Sequence, residues 1–137
     1  MVTGIEREDW KALWINPELS CEPKERKPGS YLRKKFDVQS MGDAMLYITS
    51  HGICNVYING REATDLQLMP GTTQENRRLM VETLDVTSHL QVGENEIVVT
   101  LGDGWHRGSM GYDQNKHIYG TDWRLLCQME GGGEAVR

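Results

Sequence analysis

Ala44-Met45-Leu46-Tyr47-Ile48-Thr49-Ser50-His51-Gly52-Ile53-Cys54-Asn55-Val56-Tyr57-Ile58-Asn59-Gly60 is the stretch that decides the fold. Its period is two. Ala44, Leu46 and Ile48 alternate with Met45, Tyr47 and Thr49, and Cys54, Val56 and Ile58 alternate with Asn55 and Tyr57. Successive side chains of a strand point to opposite faces, so each apolar set reads as the inward face of one strand. His51-Gly52 interrupts the run. Asn59-Gly60 then gives the strongest short hairpin signal, because a type I′ turn needs positive φ at both central positions.

Working outward, strands are predicted at Leu32 to Val38, Leu79 to Leu84, Glu96 to Leu101 and Trp123 to Met129. Ile97, Val99 and Leu101, then Leu125, Cys127 and Met129, are expected to face the core with Val56 and Ile58. Met41-Gly42-Asp43, Pro70-Gly71, Val92 to Asn95 and Gly102-Asp103-Gly104 supply turns between them. One short helical turn fits Val86 to Leu90, with Asp85 or Thr87 as its cap. Many short strands, regular turn signals and little helix imply an all-β domain, an antiparallel β-sandwich or jelly roll.

The first thirty residues read differently. Trp10, Leu13, Trp14 and Ile15 are apolar, and Pro17, Pro23 and Pro28 punctuate the charged stretch that follows. Proline at that density excludes a long helix. Trp10 and Trp14 have the spacing of one helical turn, while Leu13-Trp14-Ile15 equally suits an edge strand ended by Pro17. The expected organisation is a leading segment and linker at 1–29 packing on the sandwich, the sandwich at 30–130, and a glycine-rich tail at 131–137.

At 137 residues the chain has room for one ordinary core. Its formal charge of −5 argues against a nucleic-acid partner, which calls for a basic face. No apolar run approaches the roughly 18 residues of a membrane span. Glu6, Arg7, Glu8, Asp9 and Lys11 stand where a signal peptide needs an apolar stretch. Cys21, Cys54 and Cys127 are odd in number and lack CxxC spacing, so free thiols are expected, two of them buried. A reducing, cytoplasmic setting follows as the expectation. His51, His89, His106 and His117 show no zinc spacing. Gly102-Asp103-Gly104 opens no helix, which excludes a phosphate-binding loop.

Three segments carry a resemblance. Tyr57-Ile58-Asn59-Gly60-Arg61 is similar to a "YING" hairpin, and Leu84-Asp85-Val86-Thr87 with Leu90, Gly93, Glu94 and Asn95 to a "YDVT..L..GEN" edge. Leu101-Gly102-Asp103-Gly104-Trp105-His106-Arg107-Gly108 resembles the "LGDGWYRG" signature of the accessory N-terminal domain of bacterial α-L-rhamnosidases. Tyr119-Gly120 matches a later "YGD", and Asp9 to Ala12 with Trp14-Ile15 resembles the segment leading into that domain. The resemblance runs from Asp9 to Met129 and implies a jelly-roll sandwich of the galactose-binding-like kind. It also implies that the catalytic carboxylates belong to an (α/α) barrel absent from these residues. The chain departs from the family at Pro70-Gly71-Thr72-Thr73-Gln74-Glu75, where "PGWTDY" is usual, at His106 for tyrosine, and at Thr121 before Asp122.

Glycoside hydrolysis needs two carboxylates roughly 5 to 9.5 Å apart, and no pattern among the 20 acidic residues singles out such a pair. No catalytic residue is therefore assigned, and no cofactor is required. Asp103, Trp105, Arg107, Tyr112, Asn115 and Asp122 form the candidate ligand loop, because an indole offers sugar C–H edges a flat apolar platform beside polar groups. Some relatives hold L-rhamnose through calcium. The resemblance therefore makes Asp103, Asp113 and Asp122 the calcium candidates, oxygen donors being what that ion takes. Two functions are weighed. One is a structural domain whose partners are the other domains of a parent enzyme, as the aromatic leading segment suggests. The other is a module that binds carbohydrate, L-rhamnose in particular, as the loop around Trp105 suggests.

Overall fold

A computed structural model of the chain describes residues 5–16, 29–71, 78–102, 109–110, 115–116 and 124–131. Among the described residues, nine antiparallel strands follow one another: β1 (Ser30–Val38), β2 (Ala44–His51), β3 (Ile53–Ile58), β4 (Arg61–Glu62), β5 (Glu82–Asp85), β6 (Gly93–Gly102), β7 (Ser109–Met110), β8 (Asn115–Lys116) and β9 (Arg124–Gly131). They form a four-stranded sheet in the order β1-β6-β3-β4 and a three-stranded sheet in the order β5-β2-β9, with β7 and β8 pairing apart. The expected sandwich is what forms. The chain crosses from one sheet to the other at Gly52, the residue that breaks the alternating run.

Register follows the period-two pattern. In the larger sheet Leu32, Val99 and Val56 lie side by side, as do Lys34, Ile97 and Ile58. In the smaller one Leu46 faces Leu84 and Met129, and Ile48 faces Cys127. Leu46, Ile48, Cys54, Val56, Ile58, Ile97, Val99, Leu101, Leu125 and Met129 are buried in one core, with Cys127, Leu32 and Phe36 packed half-buried against it. Asn59 (φ 51°) and Gly60 (φ 79°) both take the left-handed conformation that the hairpin requires. Gly131 ends β9 against β2, and a Cβ there would run into the carbonyl oxygen of Asp43.

Three elements differ from expectation, the first being β6, which begins at Gly93 inside the stretch expected to turn. The strand predicted at Leu79 to Leu84 forms as Glu82–Asp85. The Thr49 hydroxyl donates to the Met80 carbonyl at 2.8 Å, a side-chain bond at the point where a backbone ladder would otherwise continue. The helical turn is 3-10, over Thr87–His89. The Asp85 carboxylate starts it by accepting from the Thr87 N–H at 3.0 Å and the Thr87 hydroxyl at 2.7 Å. These bonds hold the Asp85 carboxyl below its ordinary pKa.

Val99 gives the simplest check of register. It lies between Leu32 and Val56 and is 3% exposed. Val99→Ala is expected to cost about 1–3 kcal/mol in urea unfolding, through lost burial and a residual cavity. A cost within about 0.5 kcal/mol, the level of a surface substitution, would place β6 one residue out of register.

Candidate functional site

Two of the segments that carry the resemblance, the Asn59-Gly60 hairpin and the edge from Asp85 to Asn95, meet at one end of the sandwich, where they hold each other. Asn95 is 1% exposed, so every one of its amide bonds has to be made within the protein. Its Oδ1 accepts from the Gln91 N–H and from Asn59 Nδ2, each at 2.9 Å. Its Nδ2 donates to the carbonyls of Gln91 at 2.7 Å and Gly93 at 3.0 Å. Asn59 Nδ2 also donates to the His89 carbonyl, and Asn59 Oδ1 accepts from the Glu96 N–H. Arg61 Nη2 donates to the Ser88 carbonyl, and the His89 ring Nε2 meets the Glu62 carbonyl at 3.0 Å. The hairpin, the 3-10 turn and the start of β6 thus form one corner, and these motif residues are spent on holding it.

A second arrangement lies on the three-stranded sheet. Trp10 sets its ring edge-on to Tyr47, centroids 6.5 Å apart, and covers the outward face of β2. Beside it Gln128 is fully buried. Gln128 Oε1 accepts from the N–H groups of Lys11 and Ala12 at 2.8 and 3.0 Å, while Nε2 donates to the Asp9 carbonyl at 3.0 Å. One amide therefore ties down three residues of the leading segment, Asp9, Lys11 and Ala12. Further on, Ile15 and Leu125 exchange two backbone bonds of 2.9 and 2.8 Å. Of the two readings of the tryptophans, the edge pairing is closer: Arg7–Asp9 is a 3-10 turn, Trp10 is extended, and Trp14 lies against His51.

Among the described residues, the sandwich is open between this segment and β1. A groove of about 250 Å³ runs in from that flank, walled by Leu13 and Ile15 on one side and Leu32 on the other. Its floor is core: Leu46, Val99, Leu125 and Met129. Leu13 is 83% exposed and Ile15 48%. Cys127 sits in the same wall, and apolar surroundings push its thiol up to about 12. Burial likewise raises Cys54 to about 11, against the opposing hydrogen bond with Ser50. Both are free thiols kept protonated, chemically quiet at neutral pH.

The ligand loop chosen from the sequence lies almost wholly outside the described residues. Asp103, Trp105, Arg107, Tyr112, Asp113 and Asp122 lie outside the described residues, as do Cys21 and Trp123. Asn115 is placed by its backbone alone, in β8 opposite Met110. Among the described residues no group of three or more His, Cys, Asp or Glu is gathered to hold a metal ion. Sequence reasoning missed the groove, which no short pattern encodes, and the task of Gln128, whose polar side chain in an alternating strand reads as solvated.

Residues 39–133 match the family described as the alpha-L-rhamnosidase N-terminal domain. An alpha-L-rhamnosidase of Formosa agariphila is 33% identical over 133 residues, which is 92% of this chain and 14% of that protein. The crystal structure of an Aspergillus terreus α-L-rhamnosidase superposes with a TM-score of 0.88 at 33% identity, over 96% of this chain and 16% of that one. That of a Streptomyces avermitilis α-L-rhamnosidase complexed with L-rhamnose gives 0.71 at 33% identity, over 78% of this chain and 11% of that one. The chain thus spans about a seventh of the length of such relatives.

Proposed function

Because the chain belongs to the alpha-L-rhamnosidase N-terminal domain family, we propose that it is a non-catalytic accessory domain of an α-L-rhamnosidase. In this reading the parent hydrolyses terminal α-L-rhamnosides with residues outside this chain, and the domain's main task is to pack against its neighbours there. The observation that carries it is the open flank. A groove floored by core side chains, with Leu13, Trp14 and Ile15 exposed beside it, is apolar surface that a free-standing domain rarely leaves to water. The rest of the parent, some six-sevenths of a relative's length, is the natural cover. The Gln128 clamp fits that use, since it holds the leading segment so that Leu13 and Ile15 line the rim.

The test is Leu13→Asp, made in the chain alone and in the parent enzyme. In the chain alone Leu13 is solvated, and stability should change by no more than about 0.5 kcal/mol. In the parent the new carboxylate would be buried without a partner, lowering stability by about 1–3 kcal/mol in a thermal scan. Equal stability of variant and unmodified parent contradicts the packing role. Turnover of an aryl α-L-rhamnoside that follows the purified chain through chromatography would contradict the non-catalytic reading.

A further inference from the structure

The outward face of the four-stranded sheet lies away from the groove and has its own chemistry. Its two halves differ. Towards Val38, Arg33 pairs with Glu96 at 2.6 Å and Lys35 with Glu94 at 3.2 Å, so cations and carboxylates there answer one another. Towards Ser30 the face changes. Tyr31, Thr100 and Asn55 form one row across β1, β6 and β3, and Val98 and Tyr57 belong to the next row, whose β1 member is the ion-paired Arg33. Each points outward, because its neighbours along the strand, Ser30, Val56, Ile58, Val99 and Leu101, are buried. Tyr31 is 76% exposed, and Tyr57 is half-buried beside the smaller Val98. Next to Tyr57 is Glu62 on β4, and between β3 and the following turn lies a small depression lined by Asn55, Glu62, Thr64 and Gln67 together with Leu66 and Met69.

We propose that this half of the face is a contact surface for a neutral oligosaccharide. Pyranose rings present apolar C–H faces and a rim of hydroxyls. They are met by tyrosine rings beside amide, hydroxyl and carboxylate groups, which is the set assembled here. Two strand spacings and one row separate the tyrosines, about 12 Å between Cα atoms from strand spacing and rise. One sugar ring cannot bridge that span, so the ligand has several residues. Charge selects among glycans. Arg33 is engaged by Glu96, Glu62 borders the depression, and the chain carries −5, so an acidic glycan is repelled. Such a surface would hold substrate-bearing polymer near the parent's active site, and it stands independently of the packing reading.

The test is an amide-shift titration of the labelled chain with cellotetraose, xylotetraose and an α-L-rhamnotetraose, with tetragalacturonate as the acidic control. At least one neutral tetrasaccharide at about 10 mM, a concentration that reveals weak binding, should shift Tyr31, Asn55, Tyr57 and Thr100. Tyr31→Ala should weaken that binding about fivefold to tenfold, while Tyr31→Phe, which keeps the ring, should leave it within about twofold. Tyr31 is exposed, so neither variant threatens folding. Four results overturn the proposal: no shifts with any neutral tetrasaccharide, preference for tetragalacturonate, binding unaffected by Tyr31→Ala, or shifts confined to residues 103–122 with or without calcium.

Discussion

Asn95→Leu is expected to lower stability by about 3–5 kcal/mol, enough to unfold much of a marginally stable domain. The side chain is buried and makes four hydrogen bonds, two as donor and two as acceptor. Leucine has similar volume, so packing is not the issue. What is lost is the partner of the Gln91 N–H, the Gln91 and Gly93 carbonyls and Asn59 Nδ2, and each unsatisfied buried group costs about 1–3 kcal/mol. Water reaching Gln91 offsets part of that, since this residue is exposed. Urea unfolding measures it. A loss below about 1 kcal/mol would mean that the corner joining the hairpin, the 3-10 turn and β6 does not depend on Asn95.

The second large effect belongs to Gln128. Gln128→Ala should cost about 2–4 kcal/mol, because two N–H groups and a carbonyl of the leading segment lose their partner on a covered sheet face. It should also act locally. Hydrogen exchange at Lys11 and Ala12 should rise to the rate of unprotected amides, while amides of β3 and β6 speed up only as far as the loss of global stability dictates. Trp10 loses its fixed seat on Tyr47 as the segment loosens, so its fluorescence should shift towards that of a solvated indole. Protection at Lys11 and Ala12 equal to that of the unaltered chain would show that Trp10 and the Ile15 bridge hold the segment without Gln128.

These two residues also show what the sequence makes legible. The alternation of Leu46, Ile48, Val56, Ile58, Val99 and Leu101 sets strand, face and register together, because a slip of one residue would turn every one of them to water. Asn59-Gly60 specifies its turn for an equally local reason. Where a strand's partner is a side chain, locality fails. Thr49 reaching the Met80 carbonyl shortens β5, and nothing within 79–84 announces it. Gln128 is the sharper case. It alternates with Cys127 and Met129 as a solvated residue would, yet it is buried by a segment more than a hundred positions away. The candidate site was legible only in part. The aromatic weight of Trp10, Leu13, Trp14 and Ile15 indicates a surface to be covered, but the groove exists only where two sheets and that segment fail to close. Tyr31 and Tyr57 share a face through β6, a relation of register that neither strand shows alone.

If the domain packs within its parent as proposed, the rest of an α-L-rhamnosidase covers the open flank. Hydroxyl-radical footprinting of the chain alone and within the parent enzyme tests it most directly. Leu13, Ile15 and Leu32, which wall the groove, should be oxidised readily in the chain alone and be protected severalfold in the parent. Tyr31, on the outward face, should react equally in both. Leu13 and Ile15 as reactive in the parent as in the chain alone would contradict the packing role, whatever the stability measurements gave.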